Sequence, residues 1–132
     1  MAAFELQMVG YGVVLGLVHI LLAAHSASRQ RGYRWAAGAR DEPALRLTGI
    51  AGRLARAQGN FLETFAMFAA LAIAVVASGR TGSLSAWGAG LYLFGRIIYL
   101  PLYAAGIPLI RSLAWNVATA GIVLLLLALL RG

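Results

Sequence analysis

The chain has 132 residues, of which 61% are hydrophobic and 11% are charged, and it contains no cysteine. A soluble domain carries about a quarter charged residues, so the composition excludes an ordinary soluble domain and favours an integral membrane protein. The lack of cysteine excludes disulfides, thiolate metal sites and a cysteine nucleophile. The length allows one domain, residues 1–132, with a handful of spans.

Four stretches are long and apolar enough to cross a bilayer, because about 20 apolar residues in a helix span the hydrocarbon. They cover approximately residues 6–24, 61–77, 84–105 and 113–130. The short alternating segments of a transmembrane β-barrel are absent from the sequence. The sequence therefore predicts an all-α, four-helix transmembrane bundle.

The net charge of +7 comes from eleven arginines, seven of which fall between Arg29 and Arg56. Beside hydrophobic spans, such a basic loop indicates contact with anionic lipid head groups or an anionic substrate, rather than nucleic acid. Arginine-rich loops stay in the cytoplasm. We therefore expect the first and third loops to be cytoplasmic and both termini to be periplasmic, in a bacterial inner membrane.

A polar stripe marks the start of the second span, where Arg56, Asn60 and Glu63 repeat every three or four residues along one helix face. One interpretation is an arginine–glutamate pair with an amide that joins neighbouring helices. The other is a recognition site for a small zwitterion. In that site the arginine would bind a carboxylate, the glutamate an ammonium and the asparagine a peptide bond.

The third span carries a second polar face, formed by Arg96, Tyr99 and Tyr103. Tyrosines near a helix end are typical of an interfacial belt, and they also suit a binding site. Arg96 lies some twelve residues into its span, so it needs an internal partner unless it reaches the interface. Glu63 is the only acidic residue in any of the four predicted spans. We therefore expect Glu63 to contact Arg96 or Arg56.

The segment G-I-P-L-I-R-S, residues 106–112, reads as a tight turn that puts Arg111 and Ser112 at the start of the fourth helix. There Arg111 could reach the lipid head groups or a site at the mouth of the bundle. His19 in the first span is more typical of an interhelical hydrogen bond than of a proton relay. No metal-ligand spacing is present in the sequence.

Three motifs together resemble the MAPEG family, the membrane-associated proteins of eicosanoid and glutathione metabolism. They are R-x-x-R-A-Q-x-N-x-x-E in the second span, R-x-x-Y-x-x-x-Y in the third, and the G-I-P-x-x-R-S turn. The family includes microsomal glutathione transferases and the non-catalytic lipoxygenase-activating protein. The resemblance implies a homotrimer with glutathione, a co-substrate, held between adjacent subunits near the cytoplasmic face.

The resemblance also implies roles for individual residues. Glutathione binding is implied for the following positions: Arg56, Gln58, Asn60, Glu63, Tyr99 and Tyr103. Activation of the thiol is implied for Arg111, with Ser112 and Tyr103 as accompanying catalytic residues. A further basic contact from the end of the first span is implied for either Arg29 or Arg31.

The function implied is a membrane-embedded, glutathione-dependent transferase or peroxidase that acts on lipophilic electrophiles arriving through the bilayer. One alternative is a family member that binds lipid or glutathione and performs no chemistry. Another is a small four-helix multidrug exporter, although such exporters centre on an acidic residue within the first helix, and here Glu63 lies in the second.

Overall fold

A computed structural model describes residues 2–131 of the chain, and Met1 and Gly132, the two ends of the predicted domain, lie outside the described residues. The described part contains five helices and no strand. The helices are α1 (Phe4–Arg31), α2 (Tyr33–Ala37), α3 (Gly49–Ala77), α4 (Ser83–Ala104) and α5 (Pro108–Arg131). The predicted spans 6–24, 61–77 and 113–130 lie within α1, α3 and α5. The predicted span 84–105 matches α4 to within one residue at each end.

Three of these helices, α1, α3 and α5, are long and apolar enough to cross a membrane. The fourth predicted span, α4, is not among them, because Arg96 and several serines, glycines and tyrosines lower its hydropathy. Its polar residues Ser85, Arg96 and Tyr99 are buried against the other helices. That α4 also crosses the membrane, which would make four spans, stays a prediction.

The α4–α5 pair packs closely through glycines. A Cβ atom on Gly88 would lie 2.7 Å from the carbonyl oxygen of Gly121, and one on Gly95 would lie 2.7 Å from that of Ala114. Only residues without a side chain allow backbones to approach this closely, as is common between helices in membranes. This packing holds α4, which carries Arg96, Tyr99 and Tyr103, close against α5, which carries Arg111.

The connection between α1 and α3 breaks the helix where glycine permits it. The sequence predicts that the first helix extends to about Arg34, but α1 ends at Arg31 because Gly32 adopts a positive φ of 95°, and the short α2 follows. The side-chain amide of Gln30 then joins the two long helices, donating to the Thr48 carbonyl at 2.8 Å and accepting from its N–H at 3.0 Å.

The four long helices run up and down, so that two connections lie at one end of the bundle. The Arg53 Nε atom on α3 donates to the Ala104 carbonyl at the end of α4, 2.9 Å away, which ties these connections together. The Gly106 turn has a φ of 76°, and α5 begins at Pro108, which confirms the predicted turn. We call this the basic end; its arginines are Arg29, Arg31, Arg34, Arg40, Arg46, Arg53, Arg56 and Arg111.

The opposite end of the bundle has few charges. The carboxylate of Glu5 on α1 is 3% exposed and accepts a hydrogen bond from the hydroxyl of Ser85 on α4. The Ser85 oxygen in turn accepts from the Gly82 N–H at 2.9 Å. Arg80 donates to the Leu129 carbonyl at the end of α5. Buried polar groups at this end therefore find partners within one chain.

Candidate functional site

Arg96 lies at the centre of the bundle and is fully buried. Its Nη1 atom donates to the Asn60 side-chain oxygen on α3, 2.7 Å away. Its guanidinium carbon lies 4.2 Å from the ring centroid of Tyr99 and 5.4 Å from that of Phe61, in the geometry of cation–π contacts. The amide and the two rings therefore stabilise a charge that would be costly within the membrane.

Tyr103 joins three helices near the basic end. Its hydroxyl accepts a hydrogen bond from Arg56 Nε on α3 at 3.1 Å. The guanidinium carbon of Arg111 on α5 lies 4.5 Å from the centroid of the same ring, and the Tyr99 ring lies 5.5 Å away. Two positive charges thus converge on one phenol, one at its hydroxyl and one over its face.

A cavity of about 250 Å³ opens beside Tyr103. Five residues that the sequence singles out line it together: Asn60, Tyr99, Tyr103, Arg111 and Ser112. The lining contains a guanidinium, two amides, an indole and hydroxyls but no carboxylate. Such walls attract an anionic group, because every hydrogen-bonding side chain can donate and none carries a negative charge.

Two residues of the cavity wall, Trp115 and Asn116, are missing from the sequence-based set. Asn116 donates to the Ser112 carbonyl at 3.0 Å, while the Ser112 hydroxyl donates to the Pro108 carbonyl at 3.2 Å. The signal that could have found them is helical spacing. Trp115 follows Arg111 by four residues, and Asn116 follows Ser112 by four, so both lie on the faces already selected.

Glu63 does not make the expected contact. Arg96 donates to Asn60, and its two other nitrogens have no partner among the described residues. Arg56 donates to Tyr103. The expectation of an ion pair between Glu63 and Arg96 is therefore wrong, and none with Arg56 is found in residues 2–131. Glu63 is instead exposed on the outside of the bundle, within an apolar helix.

Other residues singled out from the sequence lie away from the cavity. Gln58 is half-buried and two positions from both Arg56 and Asn60, which turns it about 200° around the helix axis from them. Arg31 donates to the Leu45 carbonyl in the loop, 2.9 Å away, and neither it nor Arg29 lines the cavity.

His19 is 1% exposed and stacks on the Phe61 ring with centroids 4.8 Å apart. The interhelical hydrogen bond expected for it is not formed, since neither ring nitrogen has a partner among residues 2–131. Its observed role is aromatic packing between α1 and α3. A histidine in an apolar helix face can serve as an aromatic ring as well as a hydrogen-bonding group.

The family assignment now has independent support. The family model described as MAPEG family matches residues 8–131. Comparison with curated proteins gives no match, and neither does comparison with solved structures. The family is associated with glutathione and includes glutathione transferases as well as non-catalytic members. With the three apolar helices, the match identifies an integral membrane protein. It covers nearly the whole chain, and the protein therefore belongs to the MAPEG family.

Proposed function

We propose that this protein is a glutathione-dependent transferase or peroxidase that acts on lipophilic electrophiles within the membrane. The observation that carries the proposal is the cavity at the basic end, where Asn60, Tyr99, Tyr103, Arg111 and Ser112 converge from three helices. Membership of a glutathione-associated family supports glutathione as the ligand.

The charges near the cavity match those of glutathione, which carries two carboxylates, one ammonium and a thiol. Arg111 in the cavity wall and Arg56 beside Tyr103 supply guanidinium groups for carboxylates or a thiolate. Asn60 offers an amide for a peptide bond. Glu63, one turn of α3 from Asn60, is the matching partner for the ammonium.

The binding site is proposed to be completed by a second copy of the chain in a homotrimer. The cavity of about 250 Å³ is smaller than most ligand sites, which begin at roughly 300 Å³. Glu63 is exposed on a helix that is apolar enough to cross the membrane. A carboxylate facing lipid is costly, so an adjacent subunit that covers Glu63 would remove that cost and enlarge the site. Gln58 is turned away from the cavity of its own chain, so its proposed contact in the trimer is with glutathione at the neighbouring subunit.

The chemical step follows from the positive charge beside the cavity. A free thiol has a pKa near 8.5, and a nearby guanidinium favours the thiolate. Arg111 stabilises this thiolate, with Ser112 and Tyr103 as further hydroxyl groups, and the thiol proton leaves to water. The thiolate then attacks the electrophilic carbon to form a carbon–sulfur bond, and the leaving group departs, or the displaced electron pair takes up a proton from water. With a lipid hydroperoxide, the thiolate attacks the terminal oxygen, so that a sulfur–oxygen bond forms, the oxygen–oxygen bond breaks, and the lipid alkoxide leaves and takes up a proton from water. A second glutathione thiolate then attacks the sulfenic acid to form glutathione disulfide and release water.

The electrophile is proposed to arrive from the bilayer, since the outer faces of the helices are apolar and exposed. Glutathione would arrive from the cytoplasm at the basic end. Arginine-rich loops stay on the cytoplasmic side, which supports an inner-membrane protein with both termini in the periplasm.

The test is calorimetric titration of glutathione into the purified protein in detergent, followed by turnover of a lipophilic electrophile in proteoliposomes. We expect saturable binding heat that is weakened by Glu63→Gln, and product formation that requires glutathione. Chemical cross-linking should give a species of three chains. Absence of both binding heat and turnover would refute the proposal.

The same measurements separate the alternatives. Binding heat without turnover would identify a non-catalytic glutathione-binding member. Membership of the MAPEG family favours the glutathione-dependent function over the exporter interpretation. Dye efflux from vesicles that depends on a proton gradient, and that Glu63→Gln abolishes, would support the exporter instead.

A further inference from the structure

A second cavity, lined by two arginines, lies at the basic end, outside the cavity beside Tyr103. It measures about 200 Å³ and is formed between the last two turns of α1 and the short helix α2. Its floor is made of small side chains and its walls of one tryptophan and two arginines. The lining residues are Ala24, Ala27, Ser28, Arg31, Trp35, Ala36 and Arg40.

The two arginines are held on the same aromatic ring. Their guanidinium carbons lie 5.6 Å (Arg31) and 5.5 Å (Arg40) from the ring centroid of Trp35. The indole N–H of Trp35 is fixed by a hydrogen bond to the Glu42 carbonyl at 3.0 Å. Two positive charges therefore contact one indole ring that is itself held in place by a hydrogen bond.

Each guanidinium is oriented by the backbone and keeps free donors within the part of the chain that the structure describes. Arg31 uses Nε, which donates to the Leu45 carbonyl at 2.9 Å. Arg40 uses Nε and Nη2, which both donate to the Ala36 carbonyl, at 3.0 and 2.8 Å. These carbonyls carry no formal charge, so neither guanidinium is neutralised by the group that orients it. A bound anion would supply that charge.

The cavity lies at the depth of the lipid head groups. A helix rises 1.5 Å per residue, and about 20 residues cross the hydrocarbon. If α1 enters the hydrocarbon near Leu6, it leaves it near Ala24, and Arg31 lies about 10 Å beyond, within the head-group layer. The cavity thus begins at the edge of the hydrocarbon and ends among the phosphates.

We propose that this cavity binds a phospholipid with an anionic head group. The phosphate lies between Arg31 and Arg40, and the start of an acyl chain lies against Ala24 and Ala27. An anionic head group is preferred over phosphatidylcholine, because a quaternary ammonium would be repelled by the same arginines. The inference does not depend on the glutathione function.

Two carboxylates limit where the phosphate can bind. Asp41 and Glu42 line a neighbouring, larger cavity of about 440 Å³, which also includes Arg31 and Arg40. Neither carboxylate lines the smaller cavity against α1. The phosphate therefore occupies the side of Trp35 that faces α1, where only positive side chains and small residues are present.

The test is native mass spectrometry of the protein released from mixed micelles that contain equal amounts of phosphatidylglycerol and phosphatidylcholine with the same acyl chains. We expect the wild-type protein to retain phosphatidylglycerol at least about fivefold more than phosphatidylcholine. Arg40→Gln should lower this ratio by about fivefold, the contribution of one arginine near an anionic lipid. Arg46→Gln, the same charge change at an exposed loop position outside both cavities, should leave the ratio unchanged.

Two further measurements distinguish binding of a whole lipid from binding of its phosphate alone. Ala27→Leu keeps every charge and fills the floor of the cavity, so it should reduce retention because an acyl chain enters there. Excess inorganic phosphate should not displace the lipid. Unchanged retention in Ala27→Leu, an equal loss in the Arg40 and Arg46 variants, an equal retention of both lipids by the wild-type protein, or displacement by free phosphate would overturn the proposal.

Discussion

The two ends of the bundle treat polar side chains differently. At the end opposite the basic end, Glu5 is buried and accepts a hydrogen bond from Ser85, and Arg80 donates to the Leu129 carbonyl. At the basic end, Glu63 is exposed without a cationic partner in residues 2–131, and Arg111 contacts the face of an aromatic ring. Glu5 and Arg80 at the first of these ends are paired within the chain, whereas Glu63 and Arg111 at the basic end keep free acceptors or donors within the described part of the chain.

This difference separates structural polar groups from candidate functional ones. A buried group whose hydrogen bonds are complete contributes to the stability of one chain. A charged group that keeps free donors or acceptors within a membrane protein needs a ligand, a lipid or another subunit to complete it. The comparison therefore predicts that changes at the basic end alter binding and turnover, while changes at the opposite end alter stability.

The largest expected effect is that of Arg111→Ala on turnover. If Arg111 stabilises the thiolate, its loss should lower kcat/KM for glutathione conjugation by about 100-fold, the usual cost of removing one preorganised donor at a developing charge. The ultraviolet absorbance of bound thiolate should fall in parallel. The matched control is Arg131→Ala, an exposed arginine at the opposite end, which should change neither.

The second effect compares two glutamates. Glu63→Gln should raise the Kd for glutathione by about tenfold, since it removes the carboxylate proposed for the ammonium, and hydrogen bonds to charged groups contribute about 1.5–3 kcal/mol. Glu5→Gln also removes one negative charge, but at the opposite end of the bundle, and it should leave the Kd for glutathione unchanged. Calorimetric titration measures both values, and an equal effect of the two changes would contradict the distinction between the ends.

The third effect is on stability. Ser85→Ala leaves the buried carboxylate of Glu5 without its donor, so the free energy of unfolding should fall by about 1–3 kcal/mol. Thermal denaturation in detergent checks this. Ser112→Ala is the matched control, because the Ser112 hydroxyl is exposed and bonds to its own helix; it should leave the denaturation midpoint nearly unchanged.

The smallest effect is that of Tyr103→Phe on glutathione affinity. Removing the hydroxyl frees Arg56 from its 3.1 Å hydrogen bond and should weaken binding by about fivefold, close to the roughly 1 kcal/mol of an ordinary hydrogen bond. Tyr92→Phe removes a buried hydroxyl that bonds to Thr64 at 3.0 Å, away from the cavity. It should lower stability and leave the Kd unaltered, and a weaker Kd in Tyr92→Phe alone would argue against the proposed site.

Much of the candidate site could be predicted because helices have a fixed period. Spacing and motifs select Asn60 in α3, Tyr99 and Tyr103 in α4, and Arg111 in α5, and these residues line one cavity. The turn at Gly106 was predictable from glycine and proline, which determine backbone geometry locally. Local chemistry of this kind is encoded within a few residues.

The partner of each buried charge could not be predicted in the same way. Arg96 donates to the amide of Asn60 and not to Glu63, although Asn60 and Glu63 lie one turn apart on the same helix. A rotation of α3 by a few tens of degrees would exchange the two. That rotation is set by how glycines and aromatic rings pack across the bundle, including the stacking of Phe61 on His19.

The sequence by itself determined that this chain is helical, apolar enough for a membrane, basic at one end and a member of its family, since composition, period and motif are properties of the linear chain. Only the tertiary structure decided that Trp115 and Asn116 share the cavity with Tyr103, that Glu63 faces outward, and that Arg31 and Arg40 meet on Trp35. Those facts depend on the rotation and separation of whole helices and on the course of a loop, which arise from packing contacts between residues distant along the chain.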